Sequence, residues 1–350
     1  MSQVLLSLSP IETIGPRAVD SHHETTQRVS ILAGLVERRL ATDWNTGSHL
    51  AEVCGYAVSA PGKLFRPILL LESAGAVGGE IDRVLPAAAG AEGAHVASLM
   101  HDDIIDGDQL RRGRPAVHVV FGRDDAIVGG DALIFYLFDA LGECRQRGVT
   151  PDRIVAAMSG AARAGADLCR GQMLEEQIRE TYDCRLSTYL AMIEGKTGAL
   201  FRASCHIGAT LGGGTTEQAE ALARYGTLLG YAFQIVDDLL PYLSSSDQTG
   251  KPTSSDLANR RLTVPFLLGR ADADDDTIAR LDALMTGEGD LEQRWAALTG
   301  LLREIGAVHR AKTLAEQYAD EAIAALDILP ASPSRTTLNY FADAAVQRCR

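Results

Sequence analysis

Residues 85–105 read LPAAAGAEGAHVASLMHDDII, a long run of mostly small, unbranched residues with no strand-like alternation. A segment this long and this apolar predicts a largely buried helix, and a buried helix needs other helices or a sheet to cover it. The rest of the chain supplies helices. From Thr26 onward Val29, Leu32, Ala33 and Val36 recur on one helical face, and residues 67–74, 125–141, 152–166, 186–211 and 217–240 have helical length and composition. The last third adds 262–268, 275–286, 291–305, 311–326 and 336–346. Breakers separate these stretches: Ala60-Pro61-Gly62, Gly113-Arg114-Pro115, Gly212-Gly213-Gly214 and Gly250-Lys251-Pro252. No segment alternates convincingly as a strand, aromatics are only 5%, and no repeat of about 20–50 residues is visible. The expectation is an all-α fold: a loosely ordered extension over residues 1–25, then one large bundle of ten or so helices over 26–350.

The formal net charge is −13, which argues against nucleic-acid binding, because that needs a basic face. An acidic protein still binds anions where metal ions or local Arg and Lys invert the field. Cys54, Cys144, Cys169, Cys184, Cys205 and Cys349 form no CxxC pair and have no zinc-site spacing, so they read as free thiols in a reducing compartment. The start, MSQVLLSLSP, lacks the basic region of a signal peptide, and no run approaches the roughly 20 apolar residues of a membrane span. The expected location is the cytoplasm, without stable membrane insertion.

The sharpest local signal is His101-Asp102-Asp103-Ile104-Ile105-Asp106. At 100° per residue, Asp102 and Asp106 lie about 40° apart and Asp103 about 60° beyond Asp106, so all three carboxylates share one arc of about 100°. Such a cluster repels itself and calls for a divalent cation, and hard oxygen donors suit magnesium held through carboxylates and substrate phosphates. A second cluster, Asp237-Asp238, also ends an apolar helix, FQIVDD. Cationic residues accompany both: Arg111, Arg112 and Arg114 after the first, Lys63 and Arg66 beside the Gly62 turn, Lys196 followed by Thr197, and Lys251. Arg and Lys beside carboxylate clusters make sense if phosphates arrive between them.

These segments resemble the trans-isoprenyl diphosphate synthases, or polyprenyl synthetases. HDDIIDGDQLRRGRP resembles that family's first aspartate-rich motif with its following arginines, GKLFRP its basic segment, EGKTGALF its Lys-Thr segment, FQIVDD its second aspartate motif and GKPTSSDL the loop after it. His95, seven residues before Asp102, matches the family's histidine on the same helix. The segments fall in family order over roughly residues 60–265. The resemblance implies magnesium, three ions with diphosphate bound, held by Asp102 and Asp106 with Asp103 in support, and by Asp237 with Asp238 and Asp256 behind it. It implies Arg111, Lys196 and Lys251 on an allylic diphosphate (dimethylallyl, geranyl or farnesyl). Lys63, Arg66, His95 and Arg112 would hold isopentenyl diphosphate, Thr197 and Gln234 would line the reacting carbons, and the protein would be a homodimer. Two departures stand out. Pro61 replaces a glycine of the basic segment, and Pro241 replaces the last aspartate of the second motif and should end its helix.

The implied reaction is head-to-tail condensation. A class I terpene cyclase shares the fold and metal site but needs no second basic site. A non-catalytic subunit of a heteromeric synthase is the other alternative, motivated by Pro241. In this family a bulky aromatic at the fourth or fifth residue before the first motif stops chain growth early. Here those positions are Ser98 and Ala97, with Ala94 a turn further back, which implies a product of at least twenty carbons, geranylgeranyl diphosphate first.

Overall fold

The computed structural model describes residues 16–60, 62–243 and 254–347. Helix α1 (Pro16–Asp43) starts well before Thr26, so residues 16–25 of the expected loose extension are helical, while residues 1–15 lie outside the described part. The segment PRAVDSHHET carries no apolar stripe, which is why periodicity misses it, although proline suits a first helical position. The helices α2 (His49–Val58), α3 (Phe65–Ala76) and α4 (Ile81–Asp106) follow, then a small hairpin pairing β1 (Leu110–Arg111) with β2 (Arg114–Pro115). After it come α5 (Val117–Phe121), α6 (Arg123–Glu143) and α7 (Pro151–Thr181). Helix α7 runs well past residue 166, where charged residues replace the apolar spacing but remain good helix formers.

A single helical path then holds α8 (Leu186–Ile193), a wide π turn (Glu194–Gly198) and α9 (Ala199–Leu211). Helix α10 (Thr216–Leu243) does not stop at Pro241. A proline there removes only the bond to the carbonyl of residue 237, and buried Tyr242, bonded to Thr263 and stacked on Trp295, holds the turn in place. Among the described residues six further α-helices follow: α11 (Ser255–Ala258), α12 (Val264–Ala271), α13 (Asp275–Thr286), α14 (Leu291–Glu304), α15 (Ala307–Ala325) and α16 (Pro333–Gln347).

The large apolar cluster joins α1, α3, α4, α6, α7, α9, α10, α15 and α16. A second joins α8, α10 and α12 to α15. Helix α10 belongs to both, which fixes the end that carries Asp237 and Asp238. Helices α4 and α6 run antiparallel and pack closely through small residues: a β-carbon on Gly130 would lie 2.3 Å from His101 Nε2, and one on Gly90 would lie 2.9 Å from the Leu137 α-carbon. Among the described residues no helix is long and apolar enough to cross a membrane.

Candidate active site

Helix α4 ends where Gly107 takes a left-handed conformation (φ 71°), so the first aspartate cluster occupies its last turn. The three carboxylates divide their tasks. Asp103 is buried and ion-paired with Arg111, whose Nε donates to Asp103 Oδ1 at 2.7 Å. Asp106 is exposed, and Asp102 is half-buried. Burial raises the Asp102 pKa, Lys196 opposes the rise, and Asp106 and Glu175 reinforce it. Carboxylates from α4 and α7 thus repel one another across a mouth that a divalent cation would neutralise. Among the described residues, no three His, Cys, Asp or Glu side chains converge into a ready-made metal cage. Magnesium as a rule takes one or two carboxylates and completes its shell with water and substrate phosphate.

The opposite wall is built on the π turn, a feature that tends to mark functional sites. It carries Lys196, whose Nζ pairs with Glu175, and Thr197, whose hydroxyl donates to Gln234 Oε1 at 2.8 Å. Glu175 in turn lies 3.6 Å from the Arg261 guanidinium. Gln234 donates from Nε2 to Asp238 Oδ1 at 3.2 Å. The other Asp238 oxygen accepts from the Val264 N–H at 3.1 Å and from the Tyr189 hydroxyl. Asp238 is therefore engaged inside the core. Burial lifts its pKa to about 7 against the pull of those hydrogen bonds. Both Asp238 oxygens are thus held by Gln234, Tyr189 and the Val264 N–H, behind Asp237, where the resemblance places it. Asp237, one residue earlier, stays half-buried and lies close enough to Arg66 to act on its charge.

A basic corner faces these two walls. Arg66 Nη1 lies 3.0 Å from His95 Nε2, and the guanidinium stacks 4.7 Å from the Phe201 ring centre. Since Arg66 can only donate, His95 Nε2 accepts and its proton sits on Nδ1. Burial holds the His95 pKa well below its ordinary value, with Arg66, Arg112 and Arg111 adding to the effect. Burial also lowers Arg66 to about 10, eased by Glu92 beneath it. His95 Nδ1 and Arg66 Nε are both buried without a hydrogen-bond partner. Buried donors left over in this way call for an acceptor that arrives from outside. Arg112 (φ 53°) and Gly113 (φ 76°) form the hairpin turn, and Arg112 reaches the Ala60 carbonyl at 3.2 Å. Lys63 is exposed on the loop that leads into α3. Lys251 lies outside the described residues.

Of the three positions expected to limit the tail, Ala97 is fully buried in the cluster that holds Val53, Cys54 and Leu133, against α2 and α6. Ser98 and Ala94 are half-buried. The motifs also leave out four residues of this region: Glu92, Glu175, Tyr189 and Arg261. In an acidic chain another Glu carries no signal of its own. Only the Gly171-Gln172 pair one turn before Glu175 marks that stretch as a close packing point.

The sequence profile of the polyprenyl synthetase family matches residues 47–300. The chain is 38% identical to the geranylgeranyl diphosphate synthase of Methanosarcina mazei over 86% of its own length and 90% of that protein. It is 33% identical to the geranylfarnesyl diphosphate synthase of Aeropyrum pernix, over 87% of the chain and 96% of the relative. The crystal structure of the geranylgeranyl pyrophosphate synthetase from Pyrococcus horikoshii superimposes with a TM-score of 0.86 at 31% identity, covering 93% and 98% of the two chains.

Proposed function

Because the chain belongs to the polyprenyl synthetase family, we propose that it condenses isopentenyl diphosphate head to tail with an allylic diphosphate, giving an all-trans prenyl diphosphate of C20 or longer. One observation carries the reading for this chain: a corner with two unmatched buried donors, on Arg66 and His95, faces a separate mouth lined by carboxylates. Two diphosphates need two such sites. A terpene cyclase needs one.

The chain's residues divide the work as follows. Asp102, Asp106 and Asp237 would hold magnesium, three ions when diphosphate is bound, with Asp103 and Arg111 locked together behind them. Bound magnesium supplies charge neutralisation and so makes the allylic diphosphate a leaving group. Lys196, with Arg111 and Lys251, holds that diphosphate. Arg66, His95, Arg112 and Lys63 hold isopentenyl diphosphate with its double bond toward the allylic carbon. The allylic C–O bond breaks, the double bond attacks the cation, and a proton then leaves to the departed diphosphate. Thr197 and Gln234, oriented by Asp238, present oxygen dipoles to the positive charge. Turnover of labelled isopentenyl diphosphate with dimethylallyl, geranyl and farnesyl primers tests this. Conversion of a primer alone, with isopentenyl diphosphate ignored, would support a cyclase instead.

Asp238→Asn should slow turnover about tenfold, the effect of one misdirected charged hydrogen bond. The magnesium concentration for half-maximal rate should hardly change. A large shift in that concentration would return Asp238 to the metal.

The protein acts as a homodimer in this proposal. Helix α6 exposes Val128 and Phe135, and α7 exposes Val155 and Met173, with Phe135 at 71% and Met173 at 75% exposed in the single chain. Exposed apolar side chains repeated along one face of each helix support an interface there. Phe135→Glu should give a monomer in sedimentation velocity at concentrations where wild type is dimeric, and an unchanged dimer would move the interface elsewhere. The five described cysteines are free, which suits the cytoplasm.

A further inference from the structure

The hairpin that carries Arg111 and Arg112 has little of its own to hold it in place. Each strand is two residues long, and a two-stranded hairpin is marginal by itself. Its turn puts both Arg112 (φ 53°) and Gly113 (φ 76°) in the left-handed region, and a bulky side chain stays there only where its surroundings enforce it. Arg111 and Arg114 stand directly opposite each other across the strands, a like-charge pair that opposes pairing. Nor does the hairpin rest wholly on packed core. A cavity of about 30 Å³ lies against it, lined among others by Tyr56, Val96, Met100, Asp103, Arg111 and Arg112.

Two tethers offset these costs. Arg111 is drawn to α4, where Asp103 accepts from its Nε at 2.7 Å. Arg114 is drawn the other way, to α2. Its guanidinium stacks 4.3 Å from the Tyr56 ring centre and reaches the Ser59 hydroxyl at 3.4 Å. The Tyr56 hydroxyl also donates to the Pro115 carbonyl at 2.8 Å, and its ring meets Phe121 of α5 edge to face, 5.4 Å between centres. One side chain thus holds β2 through a main-chain acceptor and through a charge on its ring face, and is braced by the helix that follows. The same end of α2 receives Arg112, at the Ala60 carbonyl and against Gly62, where a β-carbon would stand 2.4 Å from Arg112 Nη1. Arg112 lies near enough to Arg66 and His95 for its charge to act on both. Like charges repel, so an empty corner favours Arg112 turning away, and a fixed hairpin opposes that.

We propose that Tyr56 is a positioning residue for isopentenyl diphosphate, fixing the tilt of the hairpin so that Arg112 stays beside Arg66 and His95. This rests on the condensation reading above. The two tethers make the effect selective. Without Tyr56 the hairpin pivots about Arg111, which Asp103 still holds, and the displacement falls on Arg112. Arg111, and the allylic diphosphate it would hold, are spared.

The test measures initial rates of the full-length protein with farnesyl diphosphate saturating and isopentenyl diphosphate varied, then the reverse. The proteins are wild type, Tyr56→Phe, Tyr56→Leu, Arg112→Ala and the double variant Tyr56→Leu with Arg112→Ala. Tyr56→Leu should raise the KM for isopentenyl diphosphate about tenfold, the worth of a hydrogen bond and a cation–π contact together, and leave kcat and the KM for farnesyl diphosphate nearly unchanged. Tyr56→Phe, which keeps the ring against Arg114, should raise it about threefold. In the Arg112→Ala background Tyr56→Leu should add almost nothing, because both changes act on one contact. A folded Tyr56→Leu with wild-type KM values overturns the proposal. So does an equal rise for both substrates, or an effect that multiplies in full with that of Arg112→Ala, since either would show general loosening instead of a set arginine. Should Tyr56→Leu fail to fold, Tyr56→Phe decides, and an unchanged KM there overturns the proposal equally. Wild type that condenses no primer would overturn the reaction assignment instead, a result read before any variant is compared.

Discussion

Asp102→Ala should lower turnover by on the order of 10³-fold or more, since removing a proposed ligand from a charge-neutralising metal site forfeits several kcal/mol of transition-state stabilisation. The structure explains why no neighbour substitutes for it. Asp103 is buried and bound to Arg111, and Asp106 is exposed at the helix end. Glu175 is tied to Lys196. The loss should be selective. Isopentenyl diphosphate would bind to Arg66, His95 and Arg112, two helical turns (about 10 Å) back along α4 from Asp102, so calorimetry should find its affinity within a few-fold of wild type. A variant that turns over at a near-normal rate would remove Asp102 from the metal site. One that loses isopentenyl diphosphate as well would merge the two anion sites into one.

Gly171→Ala should cost about 10²-fold in kcat/KM for the allylic substrate, although residue 171 would touch neither diphosphate. A β-carbon there would lie 2.2 Å from the backbone nitrogen of Lys196 and 2.7 Å from the carbonyl carbon of Gly195. These are main-chain atoms in a constrained turn and cannot rotate aside as a side-chain tip would. Helix α7 and the π turn must separate, and Lys196 and Thr197 move with the turn. Displacement of catalytic groups by about 1 Å is enough for a loss of this size. Circular dichroism should show the helix content intact. Wild-type activity in Gly171→Ala would mean that the bundle absorbs the shift without moving the turn.

Much of this was legible in the sequence for a simple reason. Helical periodicity and paired carboxylates are local patterns, and α4, with its terminal Asp102, Asp103 and Asp106, is written in consecutive residues. The features that were not legible depend on distant partners. Asp237 and Asp238 look alike in the chain, yet only the approach of Tyr189 and Val264 draws Asp238 into the core. Ala97 and Ser98 are neighbours, and the placement of α6 decides which of them is sealed in the helix seam. Pro241 reads as a stop, but the helix is described through Leu243, because Tyr242 is anchored by Thr263 and Trp295, which are distant in the chain. Residues 16–25 escaped for the opposite reason, being helical without an apolar pattern to announce it.

The wide turn at Glu194–Gly198 also bears on which changes of length the gene can tolerate. Tyr189, Met192 and Ile193 are buried on one side of the turn, and Phe201 and Cys205 on the other. A π turn holds about one residue more than an α turn, so loss of one codon inside it lets the backbone close as ordinary α-helix with both buried sets still in phase. Loss of one codon from α8 or α9 has no such slack and would rotate everything beyond it by about 100°, turning one buried set toward water. The turn is thus a place where this path can shed a residue. Single-residue deletions within 187–192 should abolish soluble expression, while one at 194 or 195 should leave a folded protein in which Lys196 and Thr197 are displaced.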